Sequence, residues 1–122
     1  MSNPDKRFPR AVYGRGEEPD PRFSLANERT FLAWTRTALA FIAGGVALRA
    51  FELDLPDRVT GAVSVVMLIA ALVLPVAAWL HWARCERAMR EGTPLPGSFA
   101  LPVLILAVLV IAGILLYGET RA

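Results

Sequence analysis

From Phe99 to Tyr117 the chain carries no charged side chain. Crossing a hydrocarbon core of about 30 Å takes roughly 20 apolar residues at about 1.5 Å of helix each, and this run supplies them. A buried helix of a soluble domain is usually shorter, so the run reads as a transmembrane helix. Two further apolar blocks of similar length, Thr30–Phe51 and Val59–Trp82, precede it. Hydrophobic residues make up 55% of the 122 and are gathered into these blocks, which argues against a soluble domain. The expectation is an all-α, three-span integral membrane protein with spans near residues 30–51, 59–82 and 99–117.

Lys and Arg bias in short connections sets the expected orientation. Lys6, Arg7, Arg10, Arg15, Arg22 and Arg29 precede the first span, and Arg84, Arg87 and Arg90 follow the second, giving nine on one side. The other side holds three, Arg49, Arg58 and Arg121. The N-terminus is therefore expected in the cytoplasm and the C-terminus outside, in a bacterial plasma (inner) membrane. The first thirty residues have no apolar core, so no signal peptide is read and the first span is expected to act as an uncleaved anchor. A formal net charge of +2 excludes a general polyanion or nucleic-acid binder. The basic face has a topological explanation, together with contact with anionic lipid.

Residues 1–23 carry Pro4, Pro9, Gly14, Gly16, Pro19 and Pro21 with few apolar residues, a composition that predicts a disordered cytoplasmic segment ahead of a membrane domain over 24–122. Ser24 is the expected N-cap of the first long helix, with Asn27 at N3 and Glu28 in the first turn. The short acidic connection Glu52–Arg58 makes spans one and two antiparallel neighbours. Pro75 interrupts the second span, where a missing N–H favours a kink. That helix is expected to continue past the membrane and stop at Gly92-Thr93-Pro94.

The first span carries Arg36 inside its apolar run. Arg36 to Arg49 covers roughly 20 Å of helix, about 10 Å too short for the hydrocarbon slab. Arg29 to Arg49 covers about 30 Å, which puts Arg36 about a third of the way in. An arginine at the helix centre costs roughly 2.5–3.5 kcal/mol, less near an edge where it snorkels. Arg29, Ala33, Arg36, Ala40, Ala43 and Ala47 recur at helical spacing with Gly44 alongside, forming one stripe that is small apart from its two arginines. Small residues let helices approach closely in lipid. The stripe has two explanations. One is a tight helix–helix seam in which Arg29 and Arg36 find partners such as Glu28 or Glu86. The other is a homo-oligomer in which copies of this face surround an aqueous path, with arginine rings selecting anions.

The run Leu25-Ala26-Asn27-Glu28-Arg29-Thr30-Phe31-Leu32-Ala33-Trp34, followed at the end of the second span by His81-Trp82-Ala83-Arg84, resembles the bacterial YidH-like inner-membrane family. It is also similar to the small three-span subunit of the eukaryotic vacuolar transporter chaperone, the polyphosphate-synthesising complex. The resemblance covers roughly residues 22–117. It implies three spans assembled side by side around a polyphosphate path, Arg29 facing that path, and Glu28 and Arg84 as an interacting pair. Arg36 lies beyond the best-matching segment and rests on the stripe. The chain has no room for a polymerase or phosphate-sensing domain, so polyphosphate synthesis is excluded.

No Ser–His–Asp set, Gly-rich phosphate loop or carboxylate pair in one span is present, so no enzyme, catalytic residue or cofactor is expected. His81 is the single histidine and Cys85 the single cysteine, which leaves no metal-ligand set and no internal disulfide. His81, Trp34 and Trp79 read as interface anchors. Three functions stay open: an oligomeric conduit for a phosphate- or polyphosphate-like anion, a non-conducting accessory subunit that stabilises an unidentified membrane partner, and a peripheral lipid or polyphosphate sensor using Arg84, Arg87 and Arg90.

Overall fold

The computed structural model describes residues 7–121. The expectation of disorder over residues 1–6, and with it Lys6, lies outside the described residues. One helical turn, α1 (Arg10–Tyr13), is followed by three long helices, α2 (Pro21–Ala50), α3 (Asp57–Glu91) and α4 (Ala100–Arg121). No strand occurs among the described residues. All three long helices are long and apolar enough to cross a membrane.

Helix α3 is the spine, and both α2 and α4 pack along it. It starts after Pro56 with Asp57 in its first turn, where the helix dipole favours an acid. It ends at Gly92, whose φ of 69° turns the chain out of the helix while the Gly92 and Thr93 amides both donate to the Ala88 carbonyl. Helix α3 stays helical through Pro75. Helix α2 starts earlier than the apolar block does. Asp20 caps it by accepting from the Arg22 amide, and Pro21 supplies the preset first turn. Ser24, expected as the N-cap, sits inside the helix instead, and its hydroxyl reaches across to α3.

The α2–α3 seam is polar at both ends, and in between alanines of α3 receive larger residues of α2. At one end the Asn27 amide donates to the Trp82 carbonyl at 3.0 Å; at the other, Ser64 Oγ donates to the Gly45 carbonyl at 2.9 Å. Both bonds give the same antiparallel register, under which Arg29 lies level with Leu80 and Arg36 level with Val73. Between them Ala38 and Phe41 pack against Ala70, Ala71, Leu74 and Ala77, and Ala100 and Ala107 of α4 close the cluster. A Cβ on Gly45 would stand 3.2 Å from Leu68 Cγ, so glycine permits the approach. In lipid, such close packing and interhelical hydrogen bonds hold helices together where apolar burial supplies little.

The course of residues 7–20 differs from the disorder expected there. The segment folds back as a strap over the end of α3, with Val12 buried. Its aromatic residues supply the contacts that composition alone did not suggest: Phe8 stacks on Trp79 and Tyr13 packs on Trp82.

Candidate functional site

The polar residues converge where the strap meets the ends of α2 and α3. Glu86 is 2% exposed. Its two carboxylate oxygens accept from Ser24 Oγ at 3.2 Å and from Asn27 Nδ2 at 3.4 Å. Among the described residues, both of Glu86's hydrogen-bond donors are neutral. Asn27 is itself buried and divides its amide between Glu86 and the Trp82 carbonyl. The helical repeat aligns Ser24 with Asn27 on α2, and Trp82 with Glu86 on α3, so each pair faces the other across the seam.

Arg90, one turn beyond Glu86, holds the strap. Its Nε donates to the Arg15 carbonyl at 2.8 Å and its Nη2 to the Tyr13 carbonyl at 3.1 Å. The Arg90 carbonyl accepts from the Glu17 amide at 2.9 Å. Glu18 lies 3.9 Å from the Arg90 guanidinium and pairs with Arg7 at 2.8 Å. Arg7 in turn lies 4.3 Å above the Tyr13 ring. Burial, then the Glu86 charge, push the Tyr13 phenol above its ordinary value, and Arg7 opposes them. Trp79 and Trp82 stack at 5.0 Å and tie strap, α2 and α3 together, since Phe31 meets Trp79 edge-on.

The residues singled out in the sequence divide between two faces. Glu86 is buried in the seam, bound to Ser24 and Asn27 rather than to an arginine. Glu28, Arg29 and Arg36 are exposed on α2, as are Ala33, Ala40 and Ala43, while Gly44 and Ala47 lie at the margin of the packed face. The arginine stripe is therefore not the intrachain seam. That seam uses Asn27, Phe31, Trp34, Ala38, Phe41 and Gly45, roughly half a turn away. Its choice follows from Asn27, whose amide needs partners once buried. In the register of the two seam bonds Arg36 lies level with Val73, within the apolar part of α3. Neither Arg29 nor Arg36 meets a carboxylate among the described residues. Arg84 and Glu28 are not brought together: the Arg84 guanidinium lies 5.3 Å from the centre of the Phe99 ring.

Sequence reasoning did not single out Ser24, Tyr13 or Arg90 for these contacts. For Asn27 a signal existed: an amide in helical phase with Trp34 and Phe41 falls on the apolar face.

Residues 22–88 match the family described as "Domain of unknown function (DUF202)". The match takes in α2, nearly all of α3 and the Ser24–Asn27–Glu86 cluster. The chain is 43% identical over 111 residues to Inner membrane protein YidH of Escherichia coli K12, covering 84% of this chain and 94% of that protein. It is 42% identical over 102 residues to Uncharacterized protein Rv2272 of Mycobacterium tuberculosis H37Rv, covering 78% of this chain and 83% of that one. No solved structure matches. The chain belongs to the DUF202 family and is a multi-pass inner-membrane protein of the YidH-like kind.

Proposed function

We propose, from that membership and from the outward face of α2, that the chain is a self-assembling membrane unit. In this reading copies meet through Ala33, Ala40 and Ala43, and enclose Arg29 and Arg36 along a path for phosphate- or polyphosphate-like anions. One observation carries the reading: Arg36, inside the apolar run of α2, is exposed on the face turned away from α3, among small residues. Left to acyl chains, a central arginine costs roughly 2.5–3.5 kcal/mol. A facing helix and a hydrated anion remove that cost. Small neighbours are what a second backbone needs in order to come close. The likeness to the three-span subunit of the vacuolar transporter chaperone supports the anion class, and the Lys and Arg bias supports a cytoplasmic N-terminus.

Native mass measurement of the detergent-purified chain, paired with anion flux in liposomes using inorganic phosphate and short polyphosphate, tests the proposal. A homo-oligomer is expected, dissociated by Ala40→Leu, with flux lost in Arg36→Ala while the oligomer persists. A monomer ends the proposal. An oligomer that passes neither anion replaces the conduit with the accessory-subunit reading.

A further inference from the structure

On the opposite flank of the molecule, α3 and α4 leave an apolar groove of about 380 Å³ lined by Leu72, Val76, Leu80, Phe99 and Val103 among others. These α3 residues recur at helical spacing, and Arg84 continues the same stripe one turn past Leu80. Cα–Cβ bonds tilt toward a helix's N-terminus, so the Arg84 side chain leans back toward Leu80. Its guanidinium is held over Phe99, which itself lines the groove. From Leu72 to Arg84 is about 18 Å of helix, close to half of the roughly 30 Å hydrocarbon core. The groove therefore has the length of one leaflet and a cation at its mouth.

Depth agrees. Arg58 and Arg84 lie about 39 Å apart along α3, which places the pair outside a core of about 30 Å, at headgroup level. Two features make the mouth electropositive. Arg84 is exposed and meets no carboxylate among the described residues, whereas Arg87 is paired with Glu91 at 2.7 Å. The first turn of α4 starts at Ala100, directly after Phe99, so the positive end of that helix dipole lies beside the ring, with the Ala100 amide itself donated to Ser98 Oγ at 3.2 Å.

We infer that this groove is a binding site for one anionic glycerophospholipid of the leaflet on the strap side. An acyl chain lies along Leu72, Val76, Leu80 and Val103, and the headgroup phosphate sits between Arg84 and the start of α4. Charge complementarity at the mouth selects this occupant over a neutral lipid. The site is on the α3–α4 flank, so it stands apart from the proposed use of the α2 face.

The test is native mass spectrometry of the full chain in detergent, supplied with phosphatidylglycerol and phosphatidylcholine of identical acyl chains. The wild type is expected to retain phosphatidylglycerol preferentially. Arg84→Gln is expected to reduce that preference about fivefold, the scale of one basic residue at a membrane surface. Arg87→Gln, one turn on but already paired, is expected to keep it. Val76→Trp, which fills the groove and leaves every charge in place, is the independent arm and is expected to lower retention of both lipids. Absence of a preference in the wild type, equal losses in Arg84→Gln and Arg87→Gln, or full retention in Val76→Trp would each overturn the inference. So would displacement of the lipid by millimolar inorganic phosphate, which would make the mouth a soluble-anion site.

Discussion

Asn27→Ala removes the one side chain that donates both to the Trp82 carbonyl and to Glu86. The Trp82 carbonyl loses only an additional bond, because α3 already supplies it a helical partner. An interhelical bond of that sort in a membrane protein averages about 0.6 kcal/mol. The Glu86 side is the larger loss, since a hydrogen bond to a charged group contributes about 1.5–3 kcal/mol. At 3.4 Å this one belongs at the low end. Together the variant should lose about 2 kcal/mol of stability. Reversible unfolding of the purified chain in mixed micelles, driven by added dodecyl sulfate and followed by fluorescence of Trp34, Trp79 and Trp82, measures it. Glu86→Gln, which keeps the shape and can still accept, should cost less than about 1 kcal/mol. Combining the two should reveal a coupling of about 1 kcal/mol, because in the double variant no carboxylate is left short of a donor. An Asn27→Ala variant within about 0.5 kcal/mol of wild type, or strictly additive effects, would refute the assignment of Glu86 and Asn27 to one network.

Gly45→Leu should push α2 off α3, since a Cβ there already stands 3.2 Å from Leu68 Cγ; a loss of about 2–3 kcal/mol in the same micelle titration is expected, with Gly45→Ala much milder. Arg90→Gln removes the donors to the Arg15 and Tyr13 carbonyls, so trypsin should cleave after Arg15 at least about tenfold faster, while the core helices stay intact. Strap docking should also respond to alkali. The docked Tyr13 phenol is raised above its ordinary value near 10.0, so docking is fully stabilised below that pH and is lost as pH rises through the higher docked value. Phenolate absorbance in a Tyr117→Phe background isolates Tyr13, and titration at or below the ordinary value would contradict the docked geometry.

The lipid-facing parts of the three helices are legible as apolar runs, but helix ends are not, because a helix can leave the hydrocarbon while staying helical. Helix α2 begins at Pro21, nine residues before the apolar block at Thr30, and the signal for it is the Asp20-Pro21 pair rather than hydropathy. The strap was illegible for a different reason. Arg90 and the carbonyls it binds are separated by 75 and 77 residues, so no local pattern reports the contact. Its aromatic anchors, Phe8 and Tyr13, stand among prolines and glycines that by composition argue for disorder.

The run Leu25–Leu32 shows what a helical wheel can and cannot decide. Counting small residues selects the Ala33–Ala40–Ala43 stripe, whereas the helix pair chose the stripe through Asn27 and Gly45. The stripe that the pair uses carries Phe31, Trp34 and Phe41 and is the bulkier of the two, so smallness does not select it; the buried amide does, because the cost of leaving it unsatisfied is removed only when it faces Trp82 and Glu86. With Asn27 fixed inward, the 100° step per residue turns Glu28 toward the flank and Arg29 to the far side. Consecutive residues of one motif therefore serve different surfaces: Asn27 closes the chain on itself, and Arg29 with Arg36 is left outward on a face narrow enough for another helix. A change at Asn27 should weaken the fold before any assembly, and Ala40→Leu on the outward face should break assembly and spare the fold. Stability and assembly measured on the same two variants should thus respond in opposite order, which a single shared interface would not produce.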